Sequence, residues 1–264
     1  MCNTVAQPLI LSAIGLTSKQ MVKVELKPGN SGINFFLKTS SSSLVKIPAN
    51  ANYVVNTLRN VVLGIKSERI CLVEHLLAAI GLFGLNNLDI FVDGPEIPLG
   101  DGSAKLWLDL FYANSLKPIP VVADIELTEP IMFKQNSSYL MALPDSRFSL
   151  NYLMDWQHPL IGKRWQEFND KSLIEDIGLA RTFGSLKEHK LLGVDDVMVT
   201  LTPDGFSQEL IFNDEPVRHK LLDLFGDLML SGYNPQRFKA KFISVKGGHT
   251  LDVKMAGKLL ELLK

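Results

Sequence analysis

An excess of charge of either sign is missing from this chain: 27 Lys and Arg against 28 Asp and Glu leave a net charge of −1 over 264 residues. Such a balance gives no electrostatic footprint for nucleic acid or an anionic membrane, so any anion binding must be local. Cysteine is nearly absent. Cys2 and Cys71 lie in unlike contexts, which argues against a disulfide framework or a thiolate metal site. No window approaches the roughly 20 apolar residues that span a bilayer. The short apolar run Pro8–Ile14 has no Lys or Arg before it, unlike a signal peptide. A cytoplasmic protein without a transmembrane segment is expected. The 46% hydrophobic content is ordinary for a globular chain and argues against disorder. Its length suits one large domain or two of ordinary size.

Histidine is also scarce, with five in all, and three of these stand in unusual company. The segment Val217–Asp227 reads as a helix with Leu221, Leu222, Leu224 and Phe225 on its apolar side. His219 and Asp223 are four apart and leave the same face, and Asp227 continues that stripe. An imidazole and a carboxylate so placed can share one divalent metal, and both suit zinc. Taken alone, the pair reads more readily as a solvated surface pair. Upstream, Glu74-His75 interrupts the apolar, helix-prone run Cys71–Ile80. A charged Glu beside a His in such a setting needs a partner, which a metal or an edge reaching solvent can supply. Were His75 a ligand, Glu74 would project about 100° round the helix, able to address a water without ligating the metal. The third cluster, Lys246-Gly247-Gly248-His249, uses paired glycines to turn the backbone sharply and deliver a His just before the last helix. His158, before Pro159, and His189, in a charged run, read as turn or surface residues.

Strands are predicted at 21–26, 33–37, 53–57, 88–92, 122–127, 131–134, 139–143, 148–154 and 239–245. Residues 197–201 and 209–212 are predicted to pair as a hairpin around Pro203-Asp204-Gly205. Helices are predicted around Glu74, over 104–112, near 173–179, around His219 and over 251–263, and the serines at 40–43 read as a loop. Each half ends strands, long helix, strand, helix. That shared order predicts an α+β fold of two similar layered domains, each a β-sheet plus two helices, packed face to face with the metal site in the cleft. The break is expected near Lys117–Pro120, giving domains 1–118 and 119–264.

Several segments occur together in this order: Val73–Ala79, Asp93–Pro98, Asp101–Ala104, Ala180–Gly184, Val217–Asp223 with Gly226-Asp227, and Lys246–Leu251. Jointly they are specific, and the chain resembles the zinc-dependent UDP-3-O-acyl-N-acetylglucosamine deacetylases of lipid A biosynthesis. The resemblance implies two back-to-back α+β domains with zinc between them, and ferrous iron as an alternative ion in the cell. It implies that His75, His219 and Asp223 are the metal ligands and that Glu74 is the general base. His249 would donate a proton to the departing amine, with Asp227 holding its ring. Thr182 would hydrogen-bond the oxyanion, Lys220 would add positive charge there, and Phe183 and Lys246 would contact substrate. The expected reaction is removal of the N-acetyl group from a nucleotide-linked amino sugar by a monomer. The alternative is the same zinc amidase chemistry on another amino sugar or a cell-wall amide. Two departures favour that alternative. The family's Gly-Leu-His-Ser-Gly run reads here Gly15-Leu16-Thr17-Ser18-Lys19. Residues 186–199 are shorter than usual and lack a Gly-Gly-Ser segment in the region that builds the acyl-chain passage.

Overall fold

A computed structural model describes residues 3–38, 43–120, 123–169, 172–194 and 197–263. The architecture is α+β, and two sheets carry it. The first has five strands in the order Leu9–Ile14, Met21–Pro28, Leu88–Asp93, Ile33–Lys38, Leu44–Pro48. The second runs Ile131–Gln135, Ser138–Pro144, Phe238–Val245, Ser149–Trp156, Gly162–Asn169, with the short strand Ile125–Glu126 beside Phe238–Val245. The two orders are the same. In each, two antiparallel hairpins are separated by a last strand that slots between them, parallel to the first strand of the second hairpin. A parallel pair needs a crossover, and each crossover contains a long helix, α1 (Glu74–Leu82) or α5 (Glu215–Leu228). A further helix follows each inserted strand, α2 (Lys105–Tyr112) or α6 (His249–Leu262). Two short helices, α3 (Leu173–Ile177) and α4 (Leu186–Leu192), lie between the second hairpin and α5.

Period-two patterning builds the sheets. Val22, Val24 and Leu26 are buried while Met21 and Lys23 on the same strand face outward, and Phe238, Ala240 and Phe242 line the inner face of the other sheet. α1 is buried along its whole length, as its almost unbroken apolar sequence demands. It packs on α5, and the crossing is close because Gly226 lacks a side chain: a Cβ there would stand 2.2 Å from the Glu74 carbonyl oxygen. A clash against backbone cannot be relieved by a rotamer change. Gly226→Ala is therefore expected to destabilise the protein by about 1–3 kcal/mol, read as a lower Tm in thermal unfolding.

Several expectations are corrected. The hairpin is closed by Gly205–Phe206 on Val199–Thr202; residues 209–212 form no strand because Arg181 and Glu215 take their backbone groups. The strand predicted at 122–127 is only Ile125–Glu126, residue 122 lying outside the described residues, and the strand predicted at 53–57 is only Val54–Asn56. His189 is 6% exposed, with Nδ1 2.8 Å from Thr200 Oγ1, so it is an interior residue of α4. His158 does sit in a turn, its carbonyl accepting from Ile161 and Gly162. Of the serine loop, residues 40–42 lie outside the described residues. Unforeseen were the strands Leu9–Ile14 and Leu44–Pro48, the ladder between Asn3–Val5 and Leu116–Pro118, the strand Gly162–Asn169, and the strands Val62–Ile65 and Glu68–Cys71 that join Val54–Asn56 in a small sheet before α1.

Candidate metal centre

The chain enters α1 through a residue held against its preference. Leu72 has φ +59, a conformation that costs a non-glycine residue about 1–3 kcal/mol. It is pinned because Cys71 exchanges backbone hydrogen bonds with Pro95 and Ile97 in the Asp93–Pro98 motif. The result places Glu74 and His75 in the first turn, 2% exposed each, where α1 meets α5.

His75 Nε2 lies 3.6 Å and His219 Nε2 3.5 Å from the same oxygen, Asp223 Oδ1. One ligand atom from each residue falls within 4.8 Å of the others, and all three residues are buried. These separations are too long for good hydrogen bonds, yet close to the ~3.3 Å between neighbouring ligands of a tetrahedral ion bonded at about 2 Å. Both nitrogens of His219 are buried without a hydrogen-bond partner, while the His75 ring has the Ser103 backbone beside it. Orphaned polar atoms in one spot are costly, and a divalent cation is the group that this donor set fits. Burial lowers the His219 pKa to about 3 and lowers that of His75, so both rings are neutral with free lone pairs. Burial opposes ionisation of Asp223, but His219 and Lys220 outweigh it and hold the carboxyl well below its usual range. Lys220 Nζ donates to Asp223 Oδ2 at 2.7 Å.

Around this triad stand groups with opposite proton affinities. Burial pushes Glu74 up to about 8, although nearby His249 pulls the other way. Its Oε2 accepts from the Val61 backbone N–H at 3.0 Å. His249 begins α6, and its Nδ1 is 2.7 Å from Asp227 Oδ2. Burial would lower the His249 pKa, but the Asp227 and Asp223 carboxylates together push it up to about 10. Phe183 meets the His219 ring edge-on at 5.8 Å between centroids and packs on Trp156 at 5.0 Å. Thr182 is fixed beside it by its N–H, which donates to Gly102 at 2.7 Å. Lys246, with φ +51, lines a cavity of about 420 Å³ together with Lys220, His249 and Arg59.

The ten residues singled out in the sequence thus lie in three connected groups: the triad with Glu74 and Lys220, the His249–Asp227 pair, and the Thr182–Phe183 segment, with Lys246 on the cavity beside His249. Sequence reading missed Arg59, which carries no motif. It also missed Val61, which contributes only its backbone, and Trp156, whose place beside Phe183 depends on strand pairing.

The family profile of UDP-3-O-acyl N-acetylglycosamine deacetylases matches residues 2–261. A UDP-3-O-acyl-N-acetylglucosamine deacetylase of Nostoc sp. is 34% identical over 278 residues, covering 98% of this chain and 98% of its own. Those of Thermodesulfovibrio yellowstonii and Histophilus somni are each 34% identical, covering 98% of this chain and 91% and 90% of theirs. Likeness of this extent, end to end, means that the chain belongs to the UDP-3-O-acyl N-acetylglycosamine deacetylase family.

Proposed function

We propose that this protein is a hydrolase that removes the N-acetyl group from UDP-3-O-acyl-N-acetylglucosamine in lipid A biosynthesis, with one divalent cation held by His75, His219 and Asp223. Zinc is the ion that two imidazoles and a carboxylate suit best, and ferrous iron fits the same donors. When bound, such an ion polarises the amide carbonyl and acidifies water.

The chain's own residues do the rest. The Glu74 carboxylate takes a proton from the attacking water as oxygen adds to the acetyl carbon. Thr182 donates to the oxygen on which negative charge grows, and Lys220 adds positive charge nearby; such preorganised donors are typically worth about 3 kcal/mol. His249, charged and held through Nδ1 by Asp227, gives its Nε2 proton to the sugar nitrogen as the carbon–nitrogen bond breaks. The products are acetate and a free amine. Phe183 walls the reacting centre, and Lys246 faces the anionic part of a nucleotide sugar across the cavity beside His249.

The observation that carries this reading is the buried triad with unpartnered nitrogens beside a Glu–His pair of opposite proton affinity. The relatives are all named for the acylated nucleotide sugar, so a different amide is not favoured despite the short segment at 186–199. We propose a monomer as the working unit, divided near residue 118. Among the described residues no helix is long and apolar enough to cross a membrane. We propose a cytoplasmic location on a separate ground, the nucleotide-linked substrate.

Acetate release, measured by mass spectrometry, is expected from UDP-3-O-acyl-N-acetylglucosamine and not from the nucleotide sugar lacking the 3-O-acyl chain. Equal turnover of both would redirect the reading to another amide. Dialysis against a chelator should abolish turnover, and one equivalent of zinc should restore it; activity that survives complete metal removal would refute the metal role.

A further inference from the structure

The Glu215 carboxylate, 1% exposed at the head of α5, collects four donors. Arg181 reaches it three times: N–H to Oε1 at 3.0 Å, Nε to Oε1 at 2.8 Å and Nη2 to Oε2 at 3.1 Å. The Ile211 N–H donates to Oε2 at 2.7 Å. The rest of the Arg181 fork is also used, Nη1 on Gln208 Oε1 at 3.0 Å and Nη2 on the Glu209 carbonyl at 2.6 Å. Only a planar guanidinium satisfies so many acceptors at once, and a lysine in its place would not.

The position of this pair matters more than its strength. Arg181 directly precedes Thr182 and Phe183. Glu215 lies one turn before His219, on the helix that also carries Asp223 and Asp227. Phe183 touches the His219 ring, and Trp156 touches Phe183. We infer that the Arg181–Glu215 pair is a positioning device, locking the Thr182–Phe183 segment in register with α5 so that the oxyanion donor stands at a fixed place beside the metal ligands. This rests on the deacetylase reading for its consequence in turnover, though not for its consequence in geometry.

Arg181→Lys and Glu215→Gln test it, each keeping volume while breaking the fork. Both should still bind one zinc per chain, because His75, His219 and Asp223 are untouched. A displacement of an ångström or so at a reacting centre lowers turnover by about 100-fold. That loss should fall on kcat, with KM changed less than about threefold, since the oxyanion forms only in the transition state. Both limbs of the pH profile should stay in place.

A second readout needs no substrate. In zinc-loaded protein labelled with 5-fluorotryptophan, the fluorine signal of Trp156, assigned with Trp156→Phe, should shift or broaden in both variants. The signal of Trp107, 0% exposed in the core, should not, which shows that the chain remains folded. If a variant loses the Trp107 signal, Gln208→Ala, which removes one outer partner of Arg181, should move the Trp156 signal less but in the same direction. An unmoved Trp156 signal, or full kcat with the fork broken, overturns the inference. Failure of the wild-type protein to release acetate would instead refute the deacetylase reading, and the fluorine signals would still decide the geometry.

Discussion

His219→Ala is expected to reduce bound zinc from about one per chain to near zero and to eliminate turnover, while the metal-free protein stays folded. Three separate reasons lead to this result. A catalytic ion has three protein ligands, and two cannot hold it against dilution. Asp223 would keep its Lys220 contact, so loss of the ring does not leave that carboxylate alone. The imidazole itself is a burden in the metal-free chain, because both its nitrogens are buried without partners. Removing it leaves a cavity but also removes two unsatisfied groups, and these effects oppose each other. The apo Tm should therefore change little, whereas the rise in Tm that zinc produces in the wild type should vanish, since ligand stabilisation follows affinity for the native state. Elemental analysis and paired melts with and without zinc check both halves. Retention of stoichiometric zinc by this variant would remove His219 from the ligand set.

Much of the site was legible in the amino-acid sequence because it depends on local spacing. His219, Asp223 and Asp227 share a face through helical periodicity alone, and Glu74-His75 stands out because its neighbours are apolar. That these two helices meet was legible only through the repeated order of elements, which the matching strand orders now explain. What was not legible depends on long-range partners. Residues 209–212 have strand-forming side chains, yet their backbone groups are taken by Arg181 and Glu215, a competition invisible to local propensity. His189 sits among Lys187, Glu188 and Lys190, a surface composition, but one face of α4 turns it inward onto Thr200. Asn3–Val5 pairs with Leu116–Pro118 more than 110 residues away, and three-residue strands carry no pattern of their own. Roles such as oxyanion donor for Thr182 came from the family resemblance, since nothing in the spacing of Ala180–Gly184 assigns them.

Turnover should trace a bell against pH, and two substitutions should move its limbs in different ways. In the mechanism we propose, Glu74 acts only as a carboxylate, so the rate rises as it loses its proton. Burial places that loss at about 8 in the metal-free protein, and a bound dication, favouring the charged carboxylate, brings the acid limb lower. In the same proposal His249 acts only while protonated, so the rate falls as it titrates. Its pKa is pushed up to about 10, chiefly by Asp227 against the cost of burial, and the same dication lowers it. Glu74→Gln should cut kcat by about 10²–10⁴-fold, with zinc still bound, and should erase the acid limb. Asp227→Asn keeps the shape but removes the anion 2.7 Å from the ring, so the basic limb should slide down by roughly 1–3 pH units, and the acid limb should move down by less, because Asp227 also helps to raise Glu74. The same change has a stability signature. A histidine with a raised pKa stabilises the fold below its unfolded value of about 6.5, and that contribution is lost as pH rises through the folded value. Asp227→Asn should therefore cost more stability at pH 6 than at pH 10. A basic limb that ignores Asp227→Asn would mean that the proton given to the amine does not come from His249.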